Sequence, residues 1–391
     1  MNTKNWQAAM QVIEKIEQAG FEAVVVGGAV RDLYLQKASH DVDVATSALP
    51  TEVKALFSTT IDVGIEHGTV LVTDMVEPIE VTTYRTDGTY VDHRRPDAVQ
   101  FVRTLKDDLQ RRDFTMNAMA LTRTNELIDL YGGKADIDAK MIRAVGDPVL
   151  RFQEDALRML RAVRFSAQLG FAIEEATMMA IKQHAATIQY VAMERIHAEL
   201  SKIWTGKYVA IGLASLEQSE LASFLPGQFK ASQWADFQTE DRIVGWAYLC
   251  VLNADFDAQL LTVYKCSNKD KAFVKQVLQA YKALEAGWQP VHYFRYELYA
   301  LQTAYRFAQW QQGEQTVSFE EIEQNKLALP IQQTSELAVS GHDFMQWTSK
   351  KRGPWLKQVL NDALQAVLNG EVANDPQQLK EWLINAFNDE G

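Results

Sequence analysis

Two cysteines in 391 residues, Cys250 and Cys266, supply neither a disulfide framework nor metal-ligand spacing, so a reducing cytoplasm is the expected location. No apolar run is long enough to cross a bilayer, and the polar start, MNTKNWQAAM, resembles no signal peptide. An excess of positive charge is missing as well. With 39 Lys and Arg against 51 Asp and Glu the net charge is −12, which argues against a general nucleic-acid coat protein. There is no internal repeat and no low-complexity segment. What is present is an ordinary globular composition, 47% hydrophobic and 23% charged. The length suits roughly two to four domains with a large core. Charge is unevenly spread: residues 81 to 165 hold fifteen Lys and Arg against thirteen Asp and Glu. A nucleic-acid partner must therefore be met by local patches and by shape.

The most informative stretch is AVVVGGAVRDLYLQKASHDVDVAT, residues 23 to 46. AVVV closed by Gly27 and Gly28 reads as a buried strand ending in a tight turn, and AVRDLYL has helical spacing. HDVDVA alternates, so Asp41 and Asp43 share one face of a strand and Val42 and Val44 the other. Two converging carboxylates repel unless a cation sits between them, which marks a site for a hard cation. The glycine turn beside it offers bare backbone N–H groups to a phosphate. Taken singly, a GG pair is a turn and a DxD is a solvated strand end; the combination within about 20 residues carries the signal. Arg31 has two readings, an ion pair with Asp32 or a phosphate contact near Gly28.

Around this stretch the chain reads in order. Residues 4 to 19 form an amphipathic helix, and SALPTEVKALF a helix with Pro50 near its start. IDVGIEHGTVLVTDMVEPIEVTTYR gives three short strands broken by Gly64, Gly68 and Pro78. Glu80 is a candidate third acid, against the plainer reading of an outward polar residue. RTDGTYVDHRRPDAVQFV is a long polar loop, expected to be mobile, functional or both, against the plainer reading of a disordered surface insertion. LQRRDFTMNAMAL is expected to begin a helix with Arg111, Arg112 and Asp113 at its head, facing a triphosphate, a sugar or only solvent. IDLYGGKADIDAKMIRAVGDP reads as strand, turn and return, closing a first domain near residue 150. Beyond that point strand signals nearly vanish and the rest is expected to be all helix.

The first of those helices is EDALRMLRAVRFSAQLGF. Asp155, Arg158, Arg161 and Arg164 recur every third residue, each about 60° from the last on one helix. Asp155 and Arg158 are thus expected to face one ligand together while Arg161 and Arg164 turn away. A simple i,i+3 salt bridge followed by solvated arginines competes with this. A carboxylate beside a guanidinium can accept from the exocyclic amino group of C or A and donate to ring acceptors, and U and G fit that pattern badly. The aromatic run HYFRYELYALQTAYRFAQW reads as core packing rather than a stacking surface, and GHD at 341 to 343 stands alone, without a metal cluster. KKRGPW at 350 to 355 is a basic patch at a helix start and a candidate RNA-backbone contact.

GGAVRDLYL…HDVDVAT, RRDFTMNAMA, IDLYGG and RFQEDALRMLRAVRF occur in order over roughly residues 20 to 205. In this the chain resembles the bacterial class II CCA-adding enzymes, tRNA nucleotidyltransferases of the poly(A) polymerase family. The resemblance implies an α+β fold: a polymerase-β-like nucleotidyltransferase head of mixed sheet and helices (1–150), followed by an all-α neck (151–215), body (216–325) and tail (326–391), the tail for tRNA. It implies template-independent addition of C, C and A to the tRNA 3′ end from CTP and ATP, with Mg²⁺ held by Asp41 and Asp43 at the catalytic centre. Gly28, Arg31 and Arg112 would contact the nucleotide. Asp155 and Arg158 would read the base, with Arg161 and Arg164 completing the pocket. The loop after Tyr84 matches the family's flexible loop, which favours full CCA addition over CC addition. A homodimer is compatible with all of this. A CC-adding transferase, a poly(A) polymerase and a catalytically dead nucleotide- or tRNA-binding protein are the alternatives; incorporation of CTP and ATP into truncated tRNA separates them.

Overall fold

The computed structural model describes residues 4–39, 41–64, 68–87, 99–313, 317–348 and 351–388. The chain divides into two compact units, Met1–Arg242 and Ile243–Gly391. Of the eleven described strands in the first, the first nine are β1 (Ala23–Val26), β2 (Asp43–Thr46), β3 (Thr60–Gly64), β4 (Thr69–Val72), β5 (Ile79–Thr83), β6 (Arg85–Asp87), β7 (Val99–Phe101), β8 (Met119–Leu121) and β9 (Leu127–Asp129). Seven of them form one sheet in the order β3-β4-β5-β2-β1-β8-β9; β6 and β7 make a separate ribbon. β1 lies antiparallel to β2 and β8, and β2 parallel to β5. AVVV is buried on both faces, as a central strand must be. β6 and β7 are the described ends of the polar loop, and its middle, residues 88–98, lies outside the described residues.

The helices of this unit are α1 (Lys4–Gln18), α2 (Gly28–Tyr34), α3 (Pro50–Leu56), α4 (Leu105–Gln110), α5 (Gly133–Asp138), α6 (Pro148–Glu154), α7 (Leu157–Leu169), α8 (Glu175–His184), α9 (Met193–Trp204) and α10 (Val209–Gln218). α1 buries Trp6, Val12, Ile13 and Ile16. Pro50 opens α3, where its missing N–H costs nothing. α7 packs on α9 and α10, and Gly212 permits the approach to α10: a Cβ there would stand 2.5 Å from that of Ala167.

Three expectations are corrected. Arg111 and Arg112 do not head a helix. They follow the end of α4, where cations suit the exposed carbonyls, and the chain continues through a 3₁₀ turn (Thr115–Asn117) into β8. The return after Gly132 contains α5, because the Asp129 carboxylate caps the N–H groups of Gly133 and Lys134 at 2.8 and 2.9 Å. The region after 150 is not all helix. A two-residue strand, β11 (Ala172–Ile173), lies parallel to β10 (Met141–Ile142).

In the second unit the described elements are helical: α11 (Arg242–Leu252), α12 (Gln259–Val263), α13 (Asn268–Leu284), α14 (Pro290–Arg295), α15 (Leu298–Gln312), α16 (Phe319–Leu327), α17 (Gly341–Thr348), α18 (Pro354–Leu368) and α19 (Pro376–Asn388). Many of its aromatics are core, although Phe256 and Tyr299 are exposed. Tyr248 packs against Phe307 and Trp310, with ring centroids at 5.0 and 5.2 Å. Phe344, Val367, Leu379 and Leu383 centre a second cluster. Asp343 of the GHD sequence accepts from the Ser340 N–H and hydroxyl at the start of α17. Of the KKRGPW patch, Lys351, Arg352 and Gly353 precede α18, and Pro354 and Trp355 are its first two residues; Lys350 lies outside the described residues. No described helix is long and apolar enough to cross a membrane.

Candidate active site

A cavity of about 590 Å³ opens where the end of β2, the turn before α2, the end of α4 and the helices α7 and α9 meet. All nine residues singled out from the sequence line it: Gly28, Arg31, Asp41, Asp43, Arg112, Asp155, Arg158, Arg161 and Arg164. Seven arginines and four aspartates face it in total. The surplus of fixed cations over acids suits a polyanion such as a triphosphate.

On the sheet side, buried Val42 and Val44 turn Asp41 and Asp43 outward to the cavity. The register Val44↔Val81 sets Glu80 of β5 beside Asp43. Partial desolvation pushes the Asp43 carboxyl above its ordinary value; Glu80 adds to this, Arg112 opposes it, and Asp41 adds again. Glu80 thus does stand near the pair, although it does not line the cavity. Gly27 turns with φ +75°, and a Cβ there would sit 3.0 Å from an Arg112 terminal nitrogen. Arg112 is held by Asp108 at 3.0 Å, while its buried Nε has no hydrogen-bond partner among the described residues.

On the helix side the predicted geometry needs a further correction. Asp155 does not share a helix with Arg158: it is the extended residue (φ −146°) that ends α6, and α7 starts two residues later. Its carboxylate accepts from the Leu157 N–H at 3.1 Å and from Arg195 at 2.7 and 3.3 Å. Arg158 pairs with Glu154 and donates to the carbonyls of Arg151 and Arg111 at 3.1 and 2.9 Å. Nor do Arg161 and Arg164 turn away. Asp113 draws Arg161 in at 2.6 Å, and the buried Glu199 of α9 draws in Arg164 at 2.6 Å. Under them lies the buried ring of Phe165, with the guanidinium carbons of Arg164, Arg31 and Arg161 at 3.9, 5.1 and 5.6 Å from its centre.

Of the two readings of Arg31, the ion pair with Asp32 is present at 2.8 Å, and the side chain also lines the cavity beside Gly28. It also donates to the Asn117 oxygen at 2.7 Å, while the Asn117 amide nitrogen donates to Asp113 at 3.0 Å. Burial alone would raise Asp113, but Arg161, Asn117 and Arg158 outweigh it and hold the carboxyl at about 2. Sequence reasoning missed Arg195, Glu199 and Asn117. One signal was present: Arg195 and Glu199 are one helical turn apart, an opposite-charge complement to the Asp155…Arg164 row.

Sheet, twin carboxylates and arginine-lined cavity are those of a nucleotidyltransferase, and residues 23–143 match the family model described as the poly A polymerase head domain. Residues 170–231 match a probable RNA and SrmB-binding site of polymerase A, and 237–383 a putative tRNA nucleotidyltransferase domain 2. The CCA-adding enzyme of Bacillus cereus strain G9842 is 40% identical over 97% of this chain and 98% of its own. The crystal structure of the Bacillus stearothermophilus CCA-adding enzyme in complex with CTP superposes with a TM-score of 0.90 at 36% identity, covering 99% of both chains. The fold alone is shared with the Thermotoga maritima CCA-adding enzyme complexed with tRNA_CCA, at a TM-score of 0.67 and 19% identity. The chain belongs to the CCA-adding enzymes.

That family implies dependence on a divalent metal. The donors here fit a hard cation: Asp41 and Asp43 are oxygen ligands, with no described thiol or imidazole facing the cavity. Among the described residues no group of three or more His, Cys, Asp or Glu forms a cage. Mg²⁺ requires none, since it is commonly held by one or two carboxylates completed by substrate phosphates.

Proposed function

We propose that this cavity is where the chain adds C, C and A to the 3′ end of tRNA, with roles divided between its two walls. CTP or ATP lies with its triphosphate toward Arg31, Arg112 and the Gly27–Gly28 turn, and its base toward Asp155 and Arg158. Asp41 and Asp43 hold Mg²⁺. The bound ion supplies charge neutralisation on the phosphate oxygens and lowers the pKa of the attacking hydroxyl. The arginines bind and orient the triphosphate so that the tRNA 3′ hydroxyl meets the α-phosphorus in line and pyrophosphate departs. Arg112 is anchored through one terminal nitrogen to Asp108 and sets the other beside the Gly27 turn. Base choice follows from polarity: Asp155 accepts from the amino group of C or A, Arg158 donates to a ring acceptor, and a carbonyl of U or G would face the Asp155 acceptor where a donor is needed. Arg161 and Arg164 complete the pocket over Phe165.

The observation that carries this reading is the convergence of the acid pair and the seven arginines on one cavity. The head to residue 150, neck to 215, body to 325 and tail to 391 are our functional division, the tail meeting tRNA. Two free buried cysteines accord with a cytoplasmic location. The test uses tRNA lacking its terminal CCA. CTP alone should extend it by two residues and CTP with ATP by three. Arrest after two would make the chain a CC-adding transferase, a long A tract a poly(A) polymerase, and binding without extension an inactive scaffold.

A further inference from the structure

We infer that Arg195 of α9 is a specificity-positioning residue that sets the plane of the Asp155 carboxylate and leaves it one acceptor position for the base. The inference rests on Asp155 reading the base edge. The terminal torsion of an aspartate is broad and two-fold, so nothing in Asp155 itself fixes the orientation of its oxygens. Its backbone is extended between two helices and gives no helical neighbour to lean on. Two anchors compensate. The Leu157 N–H holds one oxygen at 3.1 Å, and the Arg195 fork spans both, at 3.3 Å to that oxygen and 2.7 Å to the other. An ionised carboxylate offers about four lone-pair sites. These three donors take three of them, and Asp155 faces the cavity with the remainder. One acceptor position matches one exocyclic N–H of C or A. A carbonyl oxygen of U or G in the same place meets an acceptor that cannot rotate to become anything else.

α9 is itself held to α7 through Glu199, one turn further on, at 2.6 Å from Arg164. The fork therefore stands on a helix whose register against the base-reading helix is fixed. With Arg195 removed, a single N–H anchor remains, the carboxylate swings, and the freed sites admit bound water that can donate to a U or G carbonyl. Discrimination then falls, while attack at the α-phosphorus, at the other wall, keeps its machinery.

The experiment measures kcat/KM for CTP and UTP on tRNA lacking its CCA end with the full chain, its R195A, R195K and R195Q variants, and D155A. The ratio of the two constants does not depend on the fraction of enzyme that is folded. R195A and R195Q should lower the CTP:UTP ratio by about tenfold or more. R195K, a point charge without the fork, should recover only part of it. An unchanged ratio in R195A and R195Q, with KM raised alike for both nucleotides, would overturn the inference and make Arg195 a phosphate or sugar contact. D155A separates the two levels. If it loses discrimination while R195A keeps it, only the role of Arg195 fails; if D155A also keeps it, base reading by Asp155 fails with it.

Discussion

The two walls of the cavity treat charge in opposite ways. On the helix wall acids and bases arrive already matched: Arg158 with Glu154, Asp155 with Arg195, Arg161 with Asp113, Arg164 with Glu199. On the sheet wall, no hydrogen bond or ion pair among the described residues engages the carboxylates of Asp41 or Asp43, and neighbouring acids press on Asp43. A wall neutralised from within is pre-organised and rigid, suited to selecting a shape. A wall left with excess charge needs an ion from outside and is suited to chemistry.

Three substitutions press on that contrast. Asp41→Ala should have the largest effect, because it removes charge that only the reaction uses. CTP incorporation should fall by about 10³-fold or more with no loss in thermal midpoint. A lowered midpoint would show that the sheet wall is structural. Asn117→Asp comes next. The Asn117 amide is fixed by its partners, oxygen to Arg31 and nitrogen to Asp113, so the substitution sets a carboxylate against a carboxylate in a buried site. It should cost about 2–3 kcal/mol in urea unfolding and raise KM for CTP through Arg31. Equal stability would mean that Arg31 alone satisfies the new charge.

The third is a pH dependence. The Asp113 carboxyl sits at about 2 in the folded chain, below its ordinary 3.8. Its stabilisation is therefore complete above the ordinary value and lost as pH falls toward the folded one. Against Asp113→Asn, the wild type should be more stable by about 2 kcal/mol at neutral pH. The two unfolding curves should converge between pH 4 and pH 2. Parallel curves across that window would show that Arg161 does not hold the charge.

The sheet wall was the legible one, and the reason is locality. Strand, glycine turn, helix and alternating acids lie within one stretch, and each is set by its own neighbours in sequence. The three strands after residue 60 were legible for the same cause. The helix wall was legible only in its residue types. Asp155 looked helical by spacing, yet Asp155 itself caps Leu157 and breaks the run. The Arg111–Arg112 pair reads equally well at either end of a helix until α4 is seen to end there. Arg195, Glu199 and Asn117 acquire meaning only once α9 and the 3₁₀ turn have packed against α7, an event that no local pattern encodes.

Phe165 lies beneath three cavity arginines, Arg31, Arg161 and Arg164, to which we assign different parts of the nucleotide, the triphosphate to Arg31 and the rest of the pocket to the other two. A shared floor makes these positions interdependent. Exchanging the ring for an aliphatic side chain withdraws the same π face from three guanidiniums at once, so its effect and that of any one arginine will not sum. On the roles proposed above, retuning base preference through this ring would disturb the grip on the triphosphate in the same step.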